Sequence, residues 1–374
     1  MWIEIVKHVC VFRFFSMMNT KTKKLLNHIR TDNLDWFVLN SENLLSLNQI
    51  VQQKYGSSLI HLCAQYDSYR IGQYLLSSSS TTTNTIPWLL KRDSEGKTPL
   101  HTACTFGSIR IARIFLENDH PNNQIINEFK RGDWTSLMIA VIKQNIQLIK
   151  LLLFDYHAND CIRNKDGWTC YHLAIRTGNL QLIQLLFEQK PSNWWPEPVN
   201  NGRNLMHIAA INGHSLVFEF LTARLIESDH QELINSVDNC GITPLMDAAR
   251  IDCLDIFQKI LTIIGSKCLE HLDNCQRNLL HHCAQSNALK TIQFLYDNYP
   301  SLLSSSLINH CDHWHQTPLF LAIREGHRES TELLIQFGSR IDQKDINGRT
   351  VFDICQQFHN QHLMDLIHSK LKSK

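Results

Sequence analysis

Apolar positions fall into short runs at helical spacing, each opened by a polar cap. Between residues 131 and 178, Ile146, Leu148, Ile149, Leu151, Leu152 and Leu153 recur at that spacing, which predicts an amphipathic helix. Two similar openings flank this run. The first is Asp133-Trp134-Thr135-Ser136-Leu137-Met138-Ile139-Ala140 and the second is Gly167-Trp168-Thr169-Cys170-Tyr171-His172-Leu173-Ala174. Thr135 and Thr169 stand 34 residues apart. Each threonine predicts a helix start, because its hydroxyl can satisfy a backbone N–H that the first turn leaves unpaired.

The same unit recurs along the chain. Its marker positions are Ile60, Leu100, Leu137, Tyr171, Met206, Leu245, Leu280, Leu319 and Phe352, spaced 33 to 40 residues apart. Thr98-Pro99-Leu100-His101-Thr102-Ala103 is the clearest copy. A period near 33 with a T-P-L-H-x-A core is the signature of ankyrin repeats. The expected fold is therefore an all-α ankyrin-repeat solenoid of helix-turn-helix units with projecting hairpin-like turns. Gly96, Gly167, Gly202, Gly241 and Gly348 mark the turns.

The expected organisation is an N-terminal extension over residues 1–20, with Met17 and Met18 as alternative starts. Capping helices follow over 21–53, the repeat array over 54–368 and a basic tail over 369–374. An atypical terminal unit is what such an array needs to end its exposed apolar face. Residues 77–83 form a serine- and threonine-rich insertion, and residues 191–201 form another that carries Trp194 and Trp195.

Composition narrows the function. Lys+Arg 36 against Asp+Glu 35 gives a net charge of +1, which argues for neither nucleic acid nor an acidic membrane surface. No apolar run reaches the roughly 20 residues of a membrane-spanning helix, and no signal-peptide cleavage site is visible. The 12 cysteines include no CxxC pair, so the reading is a reducing, intracellular compartment. No P-loop, dinucleotide fingerprint, G-x-S-x-G or H-E-x-x-H occurs, so neither an enzyme nor a cofactor is expected.

Candidate chemistry lies on the turns. Trp134 and Trp168 occupy the same register on adjacent repeats, as do Arg131 and Lys165, with Lys130 alongside and Trp314 on a later turn. Aromatic and cationic residues in a cluster suit a binding hot spot. The alternative is that each Trp packs on its own turn and the cations are solvated. His61, His101, His172, His207 and His281 sit in the repeat core, where backbone hydrogen bonds between repeats are expected rather than catalysis. His310-Cys311-Asp312-His313-Trp314-His315 holds metal-ligand residue types. They are nearly consecutive and lack a distant second pair, so no metal is assigned.

Three segments carry a more specific resemblance: Lys130-Arg131-Gly132-Asp133-Trp134-Thr135-Ser136-Leu137-Met138, Asn164-Lys165-Asp166-Gly167-Trp168, and Asp238-Asn239-Cys240-Gly241-Ile242-Thr243-Pro244-Leu245-Met246-Asp247-Ala248. Together they resemble the ankyrin repeat domain-containing protein sixteen family. That resemblance implies a monomeric cytoplasmic and nuclear partner of the alanyl-tRNA synthetase catalytic domain, which limits serine mischarging by accepting misactivated serine on lysine side chains. It places Lys165 at one acceptor position. Arg131 stands at a second, with Lys130 adjacent as a substitute amine. The third falls in the 191–201 loop, where there is no lysine and Lys190 is nearest. The generic alternative is an ankyrin adaptor for another protein, without covalent chemistry.

Overall fold

The computed structural model describes residues 20–40, 48, 51, 56–78, 86–119, 123–191 and 193–372. Of the expected extension over residues 1–20 only Thr20 is described, at the start of a helix; residues 1–19 and most of the 77–83 insertion lie outside the described residues. The fold is all-α, with helices paired into repeats. Two compact units divide the chain, residues 1–173 and 174–374.

In the first unit, the helix pair Thr20–Arg30 and Leu34–Leu39 precedes the first repeat. The inner helices Leu59–Tyr66, Pro99–Phe106 and Ser136–Ile142 then pack in sequence order. Each begins where the sequence pattern places a cap. Thr98 is extended (φ −82°, ψ 167°), with Pro99 at the first helical position and Gly107 left-handed (φ 78°) at the C-cap. Proline there loses no needed donor, and glycine bears the left-handed C-cap without strain. Leu59, Ile60, Leu100, Ala103 and Cys104 are fully buried. The small residues let neighbouring helices approach, while outer helices such as Tyr69–Ser78 and Ile109–Asp119 close the layer. The apolar run at 146–153 departs from a plain α-helix. It is α-helical over Ile146–Lys150 and widens to a π-turn over Leu151–Asp155.

In the second unit, the inner helices Leu205–Ile211, Pro244–Arg250, Leu279–Gln285, Pro318–Arg324 and Val351–Gln357 pack successively. Outer helices Leu180–Phe187, Ser215–Glu227, Leu254–Ile264, Leu289–Asn298, Arg328–Gln336 and Gln361–Lys372 flank them. No strand occurs among the described residues. The β-like feature is an antiparallel bridge between Lys130 and Trp134.

Candidate interaction surface

The projecting turns, or fingers, follow one local rule. The backbone N–H of the first finger residue donates to the carbonyl four residues on, as Asp93 to Lys97 and Asn164 to Trp168. An Asp or Asn in first place then organises the turn. Asp93 Oδ1 accepts the N–H groups of Glu95 and Lys97, and Asn164 Oδ1 those of Asp166 and Trp168. Such side chains mimic a backbone turn. The finger at 199–203 departs from the Asp or Asn rule with Val199 in the first place, and the finger at 130–134 departs from it with Lys130. Gly132 and Asp133 are both left-handed there (φ 81° and 61°), and the Lys130 N–H still reaches the Trp134 carbonyl at 3.0 Å.

This exchange builds the aromatic–cation pair. The Lys130 ammonium lies 5.3 Å from the centre of the Trp134 ring. A Cβ added at Gly132 would stand 3.3 Å from Trp134 Cδ1, so the indole rests on that glycine. Burial, reinforced by the charge of Lys97, holds the Lys130 amine below the usual lysine range, with Glu95 and Asp93 opposing. Arg131 is exposed, its Cγ 3.3 Å from where a Gly96 Cβ would lie, so its stem crosses the preceding finger. Lys165 is exposed and its N–H donates to the Gly132 carbonyl at 3.2 Å. Trp168 is half-buried and meets the His172 ring edge-on, with centroids 6.1 Å apart. The first unit therefore sets Lys130, Arg131, Trp134, Lys165 and Trp168 on two hydrogen-bonded neighbouring fingers. Both tryptophans pack on their own turns and keep part of the ring exposed.

Trp314 belongs to the second unit. It is 44% exposed, and the Arg277 guanidinium lies 5.1 Å from its ring. Arg277 is held in turn by Asp312 at 3.1 Å.

Four of the five repeat histidines, His61, His101, His207 and His281, are structural. His101 Nδ1 accepts from the Thr98 N–H at 3.2 Å and lies 2.7 Å from its hydroxyl, which leaves Nε2–H to donate to the Trp134 carbonyl at 3.0 Å. His61, His207 and His281 bond the carbonyls of Lys97, Ile242 and Gln316 in the same way. Each ring thus ties an inner helix to the finger of the next repeat. Burial lowers His101, His207 and His281 to about 4. In the 310–315 stretch, His310 and His313 turn their rings onto the carbonyls of Gln276 and Asn274. Among the described residues no group of three or more His, Cys, Asp or Glu is arranged to hold a metal ion.

Two features escaped the sequence reading. Tyr171 stands where the motif has leucine, and its hydroxyl donates to Asp160 Oδ2 at 2.6 Å. Asp247 is fully buried in an inner helix, 3.1 Å from Arg203, which also reaches Asp238 at 3.2 Å. Burial pushes Asp247 up to about 6 against the pull of Arg203 and Arg250. A tyrosine at the leucine position of the motif was the available signal for the first.

Helix pairs joined by laced fingers, with exposed aromatic and cationic side chains on the tips, define a repeat scaffold for binding protein. Family models for ankyrin repeats (3 copies) match residues 22–125, 60–161 and 137–232, and one for ankyrin repeats (many copies) matches 280–335. The chain belongs to the ankyrin-repeat family. It is also similar to the probable 26S proteasome regulatory subunit p28 of Saccharomyces cerevisiae, with 28% identity over 172 residues, covering 46% of this chain and 71% of that protein.

Proposed function

We propose that the protein binds the alanyl-tRNA synthetase catalytic domain through the fingers at 130–134 and 164–168, and accepts misactivated serine there. The supporting observation is the placement of Lys130, Arg131, Trp134, Lys165 and Trp168 on neighbouring fingers joined by the Lys165–Gly132 hydrogen bond. Lys130 suits an amine nucleophile, because its burial favours the neutral form. The neutral amine attacks the carbonyl carbon of seryl-adenylate, a C–N bond forms, the C–O bond to the phosphate breaks and AMP leaves. The amine proton passes to solvent and a stable amide remains. Such an acceptor is consumed rather than regenerated, which makes the protein a stoichiometric trap and not a turnover enzyme. The need is physical: an alanine pocket rejects a substrate with one added hydroxyl only weakly. This reading carries a cytoplasmic and nuclear location with it.

A second reading rests on the yeast relative, a probable regulatory subunit of the 26S proteasome. In that case the same fingers serve a proteasomal partner without covalent chemistry. Binding to each purified partner separates the two. Mass spectrometry after incubation with synthetase, serine and ATP tests the chemistry: seryl-lysine is expected at Lys130 or Lys165. Binding without any modified lysine would remove the acceptor half.

A further inference from the structure

The finger that carries Lys165 and Trp168 is bracketed by two thiols, Cys161 and Cys170. Cys161 is exposed and Cys170 is 1% exposed at the start of the helix Cys170–Thr177. Both sulfurs bond one residue. Cys161 Sγ donates to Asp160 Oδ1 at 3.2 Å, and Cys170 Sγ donates to the Asp160 carbonyl oxygen at 3.2 Å. Peptide geometry puts the Cys161 Cα about 2.8 Å from that oxygen, and so the Cys170 sulfur within about 6 Å of that Cα.

We infer that Cys161 and Cys170 form an oxidant-sensitive dithiol that closes the base of the 164–168 finger by an intramolecular disulfide. The oxidant is a hydroperoxide. Cys161, the exposed thiol, attacks the peroxide oxygen as thiolate; the O–O bond breaks, the alcohol or water leaves, and a sulfenic acid forms. The Cys170 thiolate then attacks the Cys161 sulfur, the S–O bond breaks, and a second water leaves with the proton that the thiol gave up. Two electrons pass from the sulfurs to the peroxide. The bridge encloses residues 162–169, and with them Lys165 and Trp168. The disulfide does not depend on the partner; its effect on synthetase binding rests on the proposed function.

Trypsin cuts after Lys150, Arg163, Lys165 and Arg176, which puts Cys161 and Cys170 on separate peptides, 151–163 and 166–176. After the folded protein is treated with hydrogen peroxide and its remaining thiols are alkylated, the non-reducing digest should contain these two peptides joined, lighter than their sum by two hydrogens. The joined pair should vanish on reduction and be absent from Cys161→Ser. In Cys170→Ser, dimedone should trap the Cys161 sulfenic acid. A Cys161 that reacts with dimedone in the wild type without joining Cys170, or that joins another cysteine, overturns the inference. Trp168 fluorescence should change as the bridge forms, in the absence of any partner. Failure of the reduced protein to bind synthetase would remove the proposed function and leave the bridge standing.

Discussion

Lowering the pH from 7 to 5 should loosen the joint between the second inner helix and the finger at 130–134, and His101 is the reason. Its ring is fully buried, and the neutral form satisfies both nitrogens: Nδ1 receives the Thr98 N–H and hydroxyl, and Nε2–H donates to the Trp134 carbonyl. A proton on Nδ1 would face two donors. Burial sets the folded value at about 4 against 6.5 in the unfolded chain. The folded value is the lower one, so the unfolded chain binds the proton first. Stability is then complete above about pH 6.5 and is lost as pH falls towards 4. The full difference is roughly 3 kcal/mol, of which about 2 kcal/mol has gone by pH 5. Gln at this position cannot take a proton but retains an N–H for the carbonyl. Urea unfolding followed by helical circular dichroism should show the wild type losing about 2 kcal/mol more than His101→Gln between pH 7 and pH 5. The His101 ring proton in an NMR titration should stay in its neutral position until below pH 5. Equal pH dependence in the two proteins, or a ring that titrates near 6.5, would refute the reasoning.

Two further substitutions test the packing. Tyr171→Phe removes the hydroxyl that donates to Asp160 and should destabilise the fold by about 2 kcal/mol, since the bond has a charged acceptor; a change below about 0.5 kcal/mol in thermal or urea unfolding would mean that water replaces it without loss. Gly202→Ala puts a Cβ 2.7 Å from the Asn239 backbone nitrogen at a residue with φ 83°, where the Asn239 N–H bonds the Asn201 carbonyl. Backbone strain of this kind costs about 1–3 kcal/mol, and amide hydrogen exchange at Asn239 should accelerate; unchanged exchange would contradict the close approach.

The repeat was legible because its period is carried by residues with strong local meaning. Every marker from Ile60 to Phe352 falls at the second residue of an inner helix, just after its cap. Thr, Pro and Gly act through the backbone of their own turn, so no distant partner is needed to read them. The misses involve partners far apart in the chain or exceptions to local preference. Asp133, Gln276 and His315 adopt left-handed φ of 61°, 59° and 56° at the finger position where the remaining fingers use glycine, an exception to local preference. Tyr171 stands at the leucine position of its repeat, and its acceptor, Asp160, lies outside the motif. The matched register of Trp134 and Trp168 was visible in sequence, but their half-burial was not. It depends on Gly132 beneath one ring and His172 beside the other.

The fingers of the first unit are the proposed working surface. The direct measurement is the affinity of the full-length reduced protein for the immobilised alanyl-tRNA synthetase catalytic domain, for wild type, Trp168→Ala and Arg131→Glu, with the 26S proteasome regulatory particle measured in parallel. The account predicts saturable synthetase binding that weakens by about 2 kcal/mol in Trp168→Ala and weakens in Arg131→Glu, with both variants retaining wild-type helix content. Absent synthetase binding, or affinity that neither substitution changes, would contradict it.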